Sequence, residues 1–114
     1  MRWVMRSKIH KATVTQADLN YIGSITIDET LMNMCGLIEG EKVLVVSNTS
    51  GSRLETYVIR GPADSGIITM NGAAAHLIKA GEEIIIIGFE LADGPLEPKA
   101  ILVNGENRFV RYLP

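Results

Sequence analysis

The stretch GSITID, Gly23 to Asp28, is decisive for the fold because a related stretch, GIITMN, occurs at Gly66 to Asn71. Both stretches alternate as β-strands do, and each is followed by a short helical pattern. The chain then continues as EGEKVLVV from Glu39 in the first half and as AGEEIIII from Ala80 in the second. Each half therefore predicts a strand, a short helix and a second strand.

The two helical patterns cover Glu29 to Cys35 and Ala73 to Lys79. Asp28 precedes the first helix as a suitable N-cap, and Gly36 follows it as a residue that tolerates the left-handed conformation at a helix end. Asn71 stands before the second helix. The sequence therefore predicts two short helices, each beginning after a strand.

The four-residue apolar runs VLVV and IIII predict strands that are buried on both faces, as in a closed barrel. Further strands are predicted at Val4 to Thr15, Leu54 to Arg60 and Ala100 to Val103. We therefore expect a mainly β fold, a small β-barrel with pseudo-twofold character and short helices. At 114 residues, the chain is expected to form a single domain over residues 1–114.

Composition excludes several classes of function. Hydrophobic residues make up 46% of a chain that, as a monomer, buries only about two-thirds of its unfolded surface, so part of this apolar content is expected in a subunit interface. The formal net charge of -2 argues against a nucleic-acid partner, which requires a basic surface. Cys35 is the only cysteine, so neither an internal disulfide nor a cysteine-rich metal site is expected.

The location of the protein is predicted from its N-terminus and its apolar runs. Charged residues interrupt the opening MRWVMRSKIHKAT, so the pattern of a signal peptide is missing. No apolar run approaches the roughly 20 residues that cross a bilayer. We expect a soluble cytoplasmic protein with no membrane partner.

Several side chains are candidates for chemistry. Lys8 and His10 are two residues apart and should share one face of a strand, as should Arg53 and Tyr57. The alternative interpretation is a solvated charged edge, since charged side chains normally lie outside. His10 and His76 lack acids or cysteines at ligand spacing, so no metal site is predicted.

Two further motifs leave alternatives open. NGAAAH, Asn71 to His76, is either a turn that opens a helix or a helix N-terminus whose N–H groups face an anion. The segment from Gly23 to Val46 resembles the swapped-hairpin β-barrel DNA-binding regulators of the AbrB type. The acidic balance of the chain and the lack of an arginine-rich flank argue against that alternative.

Taken together, the motifs resemble the pyruvoyl-dependent aspartate 1-decarboxylase family from about Met5 to Gly88. The matching positions, in order and in spacing, are Lys8-Ile9-His10, Ala17-Asp18-Leu19, Tyr21, Gly23-Ser24, Ile27-Asp28, Gly51, Arg53, Thr56-Tyr57 and Asn71 to His76. Two departures accompany the match. Val46 stands where many members have a tryptophan, and the tail after Gly88 is less similar.

The resemblance implies a double-psi β-barrel that assembles as a homotetramer with active sites between subunits. It also implies autocatalytic cleavage between Gly23 and Ser24, giving fragments 1–23 and 24–114, with Ser24 converted into a pyruvoyl group and no external cofactor. The ketone of that group forms a Schiff base with L-aspartate and accepts the electrons released on decarboxylation. The implied reaction yields β-alanine and CO2 for pantothenate biosynthesis.

The resemblance also implies roles for individual residues. Thr56 polarises the Gly23 carbonyl during self-cleavage, and Tyr57 donates the proton that quenches the carbanion. Arg53 suits bidentate capture of the carboxylate that survives in the product. The substrate-binding positions are Lys8, His10, Arg53, Asn71, Ala73 and Ala74.

Overall fold

A computed structural model describes all residues from Met1 to Pro114 and contains nine strands and two short helices. The strands are β1 (Arg2–Thr13), β2 (Gln16–Asp18), β3 (Ser24–Asp28), β4 (Lys42–Ser47), β5 (Arg53–Gly61), β6 (Ile68–Asn71), β7 (Glu83–Ala92), β8 (Lys99–Val103) and β9 (Phe109–Tyr112). The helices are α1 (Glu29–Cys35) and α2 (Ala74–Leu77). The prediction of a mainly β fold is confirmed.

The sheet closes on itself. Its strand order is β2-β6-β3-β5-β4-β7-β1-β8-β9, so β1 and β2 lie far apart in the sheet, although only Val14 and Thr15 separate them in the chain. The backbone N–H of Thr15 donates to the carbonyl of Ile68 in β6 at 2.8 Å. The continuous segment β1–β2 therefore joins both ends of a six-stranded ring made with β3, β4, β5, β6 and β7.

The ring has the internal symmetry that the sequence repeat predicts. An approximate twofold exchanges β3 with β6, α1 with α2 and β4 with β7, and it exchanges the segment β1–β2 with β5. The pairings obey this exchange, because β5 runs parallel to β3 as β2 runs parallel to β6. The double-psi β-barrel is therefore the fold of this chain.

Alternation along the strands separates a core from an outer surface. Ile25 and Ile27 of β3 are fully buried, as are Val45 of β4 and Ile84 and Ile86 of β7. Their neighbours in the sequence turn to the outside of the barrel, because successive side chains of a strand point to opposite faces. The outer surface carries most of the candidate functional residues, whereas Thr56 lies on the inner face of β5.

The first helix has the predicted bounds, whereas the second is shorter than predicted. Asp28 Oδ1 accepts from the backbone N–H of Thr30 at 2.8 Å, as an N-cap does. The prediction of a helix from Ala73 to Lys79 is wrong at both ends. Asn71 turns its side chain to β3 instead of capping the helix, and the Lys79 backbone N–H donates to Glu82 Oε2 at 2.7 Å. Neither helix is long enough to cross a membrane.

Some strand boundaries also differ from the prediction. Residues 19–23 connect β2 to β3 as a turn, so the strand predicted from Gly23 begins one residue later, at Ser24. Strand β1 ends at Thr13, after a register irregularity between Ile9 and Ala12 where Lys11 has a φ of 64°. Strands β2 and β9 are too short to show a clear alternating pattern in the sequence.

The C-terminal hairpin β8–β9 lies outside the six-stranded ring and is attached by Asn107. Asn107 is buried, and its Oδ1 accepts from the backbone N–H of Thr13 at 2.8 Å. Its Nδ2 donates to the carbonyls of Thr13 and Gly66, each at 2.8 Å. One side chain thus connects the tail to both halves of the barrel.

A buried carboxylate holds the β4–β5 turn, and this contact predicts a pH-dependent stability. Ser47 Oγ donates to Glu82 Oε1 at 2.6 Å, and this bond is the main reason why the pKa of Glu82 lies below its ordinary 4.5. A lowered pKa stabilises the fold above about pH 4.5, and this contribution is lost as the pH falls through the folded-state pKa. Ser47→Ala should therefore reduce the free energy of unfolding by about 1–3 kcal/mol at pH 7.

The measurement is urea unfolding of Ser47→Ala and the parent chain at neutral and acid pH. The difference between them should shrink once Glu82 is protonated. Ser52→Ala, in the same turn, is the matched control, because its side chain makes no hydrogen bond in the structure. A difference of the same size at both pH values would contradict the role given to the carboxylate.

Candidate active site

The site is centred on Ser24, the first residue of β3. Ser24 is fully buried, and its Oγ donates to the carbonyl of Ile22 at 2.8 Å. The same Oγ accepts from Asn71 Nδ2 at 3.0 Å. A buried hydroxyl with one bond given and one received has a defined orientation.

Asn71 reaches Ser24 because of the strand register. Strands β3 and β6 are antiparallel and place Ser24 directly opposite Asn71, with both side chains on the outer face of the barrel. Asn71 is also buried, and the second N–H of its amide is directed to Thr26 Oγ1 at 3.0 Å. Two residues far apart in sequence are thereby brought into direct contact.

A cavity of about 390 Å³ lies beside Ser24. It brings together five of the predicted site residues, together with three other residues. The lining residues are Gly23, Leu54, Glu55, Thr56, Tyr57, Ala73, Ala74 and Leu77. The peptide predicted to be cleaved thus lies at a cavity large enough for a small molecule.

Thr56 and Tyr57 approach this cavity from opposite faces of β5. Strands β3 and β5 are parallel, and Ile25 is paired with Val58. The preceding residue of each strand is therefore also a neighbour, so Tyr57 lies beside Ser24 on the outer face. The Tyr57 side chain is 39% exposed, while Thr56 is partly buried and turned the other way. The expected separation of the two side chains by strand alternation therefore holds at this position.

Gly72 is a functional position that sequence reasoning missed. Its φ is 65°, and a Cβ at this residue would lie 2.6 Å from both the N and the Cα of Gly23. Such a Cβ would also lie 2.9 Å from the carbonyl oxygen of Tyr21. Gly23 itself has no positive φ, and a Cβ there would meet open space. The close backbone approach suggested by Gly23 therefore depends on the absence of a side chain at Gly72.

The predicted cations lie elsewhere on the barrel. Lys8 and His10 share the outer face of β1, and Arg53 begins β5. None of the three lines the cavity beside Ser24. Within one chain the structure thus separates the candidate cations from the candidate reaction centre.

Apolar side chains connect these cations across the sheet. Arg53 is paired with Val46, and Val46 is paired with Ile85, which lies beside the irregularity in β1 that contains His10. In the next row, Lys8 is paired with Ile87 and Ile87 with Leu44 of β4. We call this surface the cation face; it consists of Lys8, His10, Leu44, Val46, Arg53, Ile85 and Ile87.

His10 has an unusual environment on the cation face. Its Nδ1 is buried without a hydrogen-bond partner. Burial lowers the pKa of His10 below 6.5, and the positive charges of Lys8 and Lys11 lower it further, whereas Glu83 opposes the shift. His10 thus carries a buried ring nitrogen that no group of this chain satisfies.

Two other kinds of chemistry, a metal site and a cysteine nucleophile, lack suitable residues in the structure. No cluster of three His, Cys, Asp or Glu side chains is arranged to hold a metal ion. Cys35 is buried, and that burial raises the pKa of its thiol to about 12, so it is not a nucleophile near neutral pH.

Comparison with known protein families decides the assignment. A family model described as aspartate decarboxylase matches residues 1–110. The chain belongs to the aspartate decarboxylase family. It is thus a carboxy-lyase at the level of its family, as predicted. The DNA-binding alternative covered only Gly23 to Val46 and gains no support from this match.

Individual relatives agree with the family match. An aspartate 1-decarboxylase of Clostridium botulinum is 56% identical over 108 residues, covering 91% of this chain and 87% of the relative. An aspartate 1-decarboxylase of Corynebacterium efficiens is 54% identical over 114 residues, covering 96% and 84%. Among solved structures, the computationally designed msDPBB_sym2 protein has a TM-score of 0.47 and 19% identity, covering 76% of this chain and 99% of its own.

Proposed function

We propose that this chain decarboxylates L-aspartate to β-alanine and CO2, using a pyruvoyl group made from Ser24 after autocatalytic cleavage. The observation that carries the proposal is the buried Ser24 hydroxyl, held by Asn71 at the edge of a cavity that Gly23 and Tyr57 line. Membership of the aspartate decarboxylase family supports the choice of substrate.

The cleavage needs only groups that the chain contains, together with water. Ser24 Oγ attacks the carbonyl carbon of Gly23, the C–N bond breaks, and the acyl group moves from nitrogen to oxygen to form an ester. Elimination then removes the Cα proton of residue 24, breaks the bond between Cβ and Oγ, and releases fragment 1–23 with a carboxylate at Gly23. The dehydroalanine that remains at position 24 takes up water and loses ammonia to become the pyruvoyl end of fragment 24–114.

The residues around Ser24 fit both this rearrangement and the group that it produces. Gly72 lets the segment from Tyr21 to Gly23 pack closely, which keeps the Gly23 carbonyl near the hydroxyl. Thr56 lines the cavity beside Gly23 and is the candidate to polarise that carbonyl. Asn71, Ala73 and Ala74 would hold the pyruvoyl group and orient the substrate. The ketone of the pyruvoyl group would supply an electron sink for decarboxylation.

L-Aspartate brings two carboxylates, to which we assign Lys8 and Arg53 as cations and His10 as an imidazole whose lowered pKa leaves it neutral near pH 7. The guanidinium of Arg53 can donate two parallel hydrogen bonds to one carboxylate. We assign it to the carboxylate that survives in the product, because strong binding of the departing one would stabilise the ground state.

Lys8 and His10 are too far from Ser24 to act on it within one chain. In the sheet, Asp18 of β2 is paired with Asn71, and Asn71 is paired with Ser24. His10 precedes Asp18 by eight residues in the chain. At about 3.3 Å per residue, this is more than 20 Å along the strand direction. We therefore propose that each active site combines Ser24 of one subunit with the cation face of a neighbour.

Exposed apolar residues support an interface at both places. Leu44, Val46, Ile85 and Ile87 lie only partly buried on the cation face. Beside Ser24, the exposed apolar side chains are Leu19, Tyr21, Ile22 and Leu77. When one face of a subunit binds a different face of its neighbour, the subunits form a closed ring if the rotation between neighbours permits closure. A homotetramer is the ring that we propose.

A cytoplasmic location for this reaction fits a chain whose single cysteine cannot form an internal disulfide. Its product, β-alanine, would serve pantothenate biosynthesis.

A complementation experiment tests both the chemistry and the shared site. Ser24→Ala should remain a single chain without activity, because a methyl group cannot attack a carbonyl. His10→Ala should lose most activity through weaker substrate binding. When the two variants are co-expressed with different tags and purified through both, some interfaces join an intact Ser24 to an intact His10. Release of β-alanine should then reappear.

The control is a mixture of the two variants purified separately and never co-assembled. Activity of the doubly tagged sample no higher than that of His10→Ala alone would contradict the shared site. Normal β-alanine release by Ser24→Ala alone would contradict the pyruvoyl mechanism itself.

Substitutions at Tyr57 and Thr56 should have separate effects on turnover and on self-cleavage. Tyr57→Phe keeps the ring and removes the hydroxyl, so the cleaved enzyme should lose about 10²–10⁴-fold in rate if Tyr57 is the proton donor. Thr56→Val should instead slow cleavage, with turnover per cleaved chain little changed. The measurements are fragment formation on a denaturing gel and β-alanine release by fully cleaved protein. Slow cleavage with normal turnover in Tyr57→Phe would reverse the assignment.

A further inference from the structure

The amide of Asn71 is held at two points. One Nδ2–H donates to Ser24 Oγ and the other donates to Thr26 Oγ1, each at 3.0 Å. Ser24 and Thr26 are two residues apart in β3 and share its outer face, so Asn71 lies opposite the first and diagonal to the second. Thr26 is thus the only residue besides Ser24 to which this amide donates.

The orientation of the amide matters for Ser24. A serine hydroxyl has one proton, and here that proton is donated to the carbonyl of Ile22 at 2.8 Å. The hydroxyl oxygen therefore needs a donor, which is the nitrogen side of the amide. A rotated amide would present Oδ1 to Ser24, compete for its proton and turn the hydroxyl away from the backbone that precedes it.

Thr26 is itself fixed in place. Its β-branched side chain has few χ1 choices on a strand. A Cβ added at Gly61 of the neighbouring strand β5 would lie 2.9 Å from Thr26 Cγ2, so the methyl group fills the space that Gly61 leaves. With the methyl group in that space, the hydroxyl is directed to Asn71.

We propose that Thr26 is a positioning residue for self-cleavage, and that it acts through Asn71 on the Ser24 hydroxyl. The inference rests on the proposed function, since it assigns Thr26 to the step in which Ser24 attacks the Gly23 carbonyl. Thr26 is not among the residues that line the cavity. It sets the geometry of the reacting group without contacting substrate.

Two substitutions at Thr26 isolate its hydroxyl. Thr26→Val keeps the shape and the strand propensity but removes the acceptor, so self-cleavage should slow by roughly 10- to 100-fold, as expected when a reacting atom is misplaced by about an ångström. Thr26→Ser keeps the acceptor and should cleave at nearly the parent rate. The measurement is the first-order loss of newly made precursor after pulse labelling in cell-free synthesis.

Thr69→Val is the matched control. Thr69 faces Thr26 directly across β3 and β6, yet its side chain makes no hydrogen bond to Asn71. It should therefore leave the cleavage rate unchanged. Turnover per cleaved chain separates positioning from general damage, because Thr26→Val should retain substrate KM once it is cleaved. If Thr26→Val does not fold, Thr26→Ala against Thr26→Ser makes the same comparison.

The outcomes distinguish this inference from the proposed function. Cleavage of Thr26→Val at the parent rate would overturn the role of Thr26 and leave the pyruvoyl mechanism intact. Equal slowing in Thr26→Ser and Thr26→Val would also overturn it, because the hydroxyl would then be irrelevant. A parent chain that is never cleaved would instead contradict the proposed function.

Discussion

The hydrogen bond between Asn71 and Ser24 is the interaction on which the rest of the site depends. It exists because β3 and β6, the two strands exchanged by the internal twofold, pair antiparallel and place the start of β3 beside the end of β6. The second half supplies Asn71, Gly72 and the small residues that follow, and the first half supplies the peptide at Gly23 and Ser24. A symmetric barrel thus acquires one asymmetric site at the junction of its repeats.

The same barrel also explains why two of the candidate cations lie apart from Ser24. Outer faces of a closed barrel point in different directions, so a reaction centre on β3 and the side chains of Lys8 and His10 on β1 cannot converge in one copy. Our proposal uses assembly to bring them together. The apolar surface around each part gives assembly a driving force, and burial of that surface would also remove water from the charges that recognise aspartate.

Local patterns in the sequence predicted much of this structure. The repeat led to the pseudo-twofold, and Asp28 and Gly36 marked the ends of α1 correctly. The second helix was overpredicted mainly at its C-terminal end, because Ile78 is extended and the Lys79 N–H donates to Glu82, contacts that helical periodicity does not show. Gly72 and Thr26 were missed for a related reason. Their importance comes from contacts with residues more than 40 positions away, which no local pattern reveals.

Intact mass spectrometry of the purified native chain tests the central claim most directly. We expect two species, fragment 1–23 with an ordinary carboxylate and fragment 24–114 lighter by one ammonia than the same fragment with an N-terminal serine. Sodium borohydride treatment should add the mass of two hydrogens to the larger fragment alone, since only it carries a ketone. A single intact chain, or a larger fragment that retains its N-terminal serine, would contradict the account.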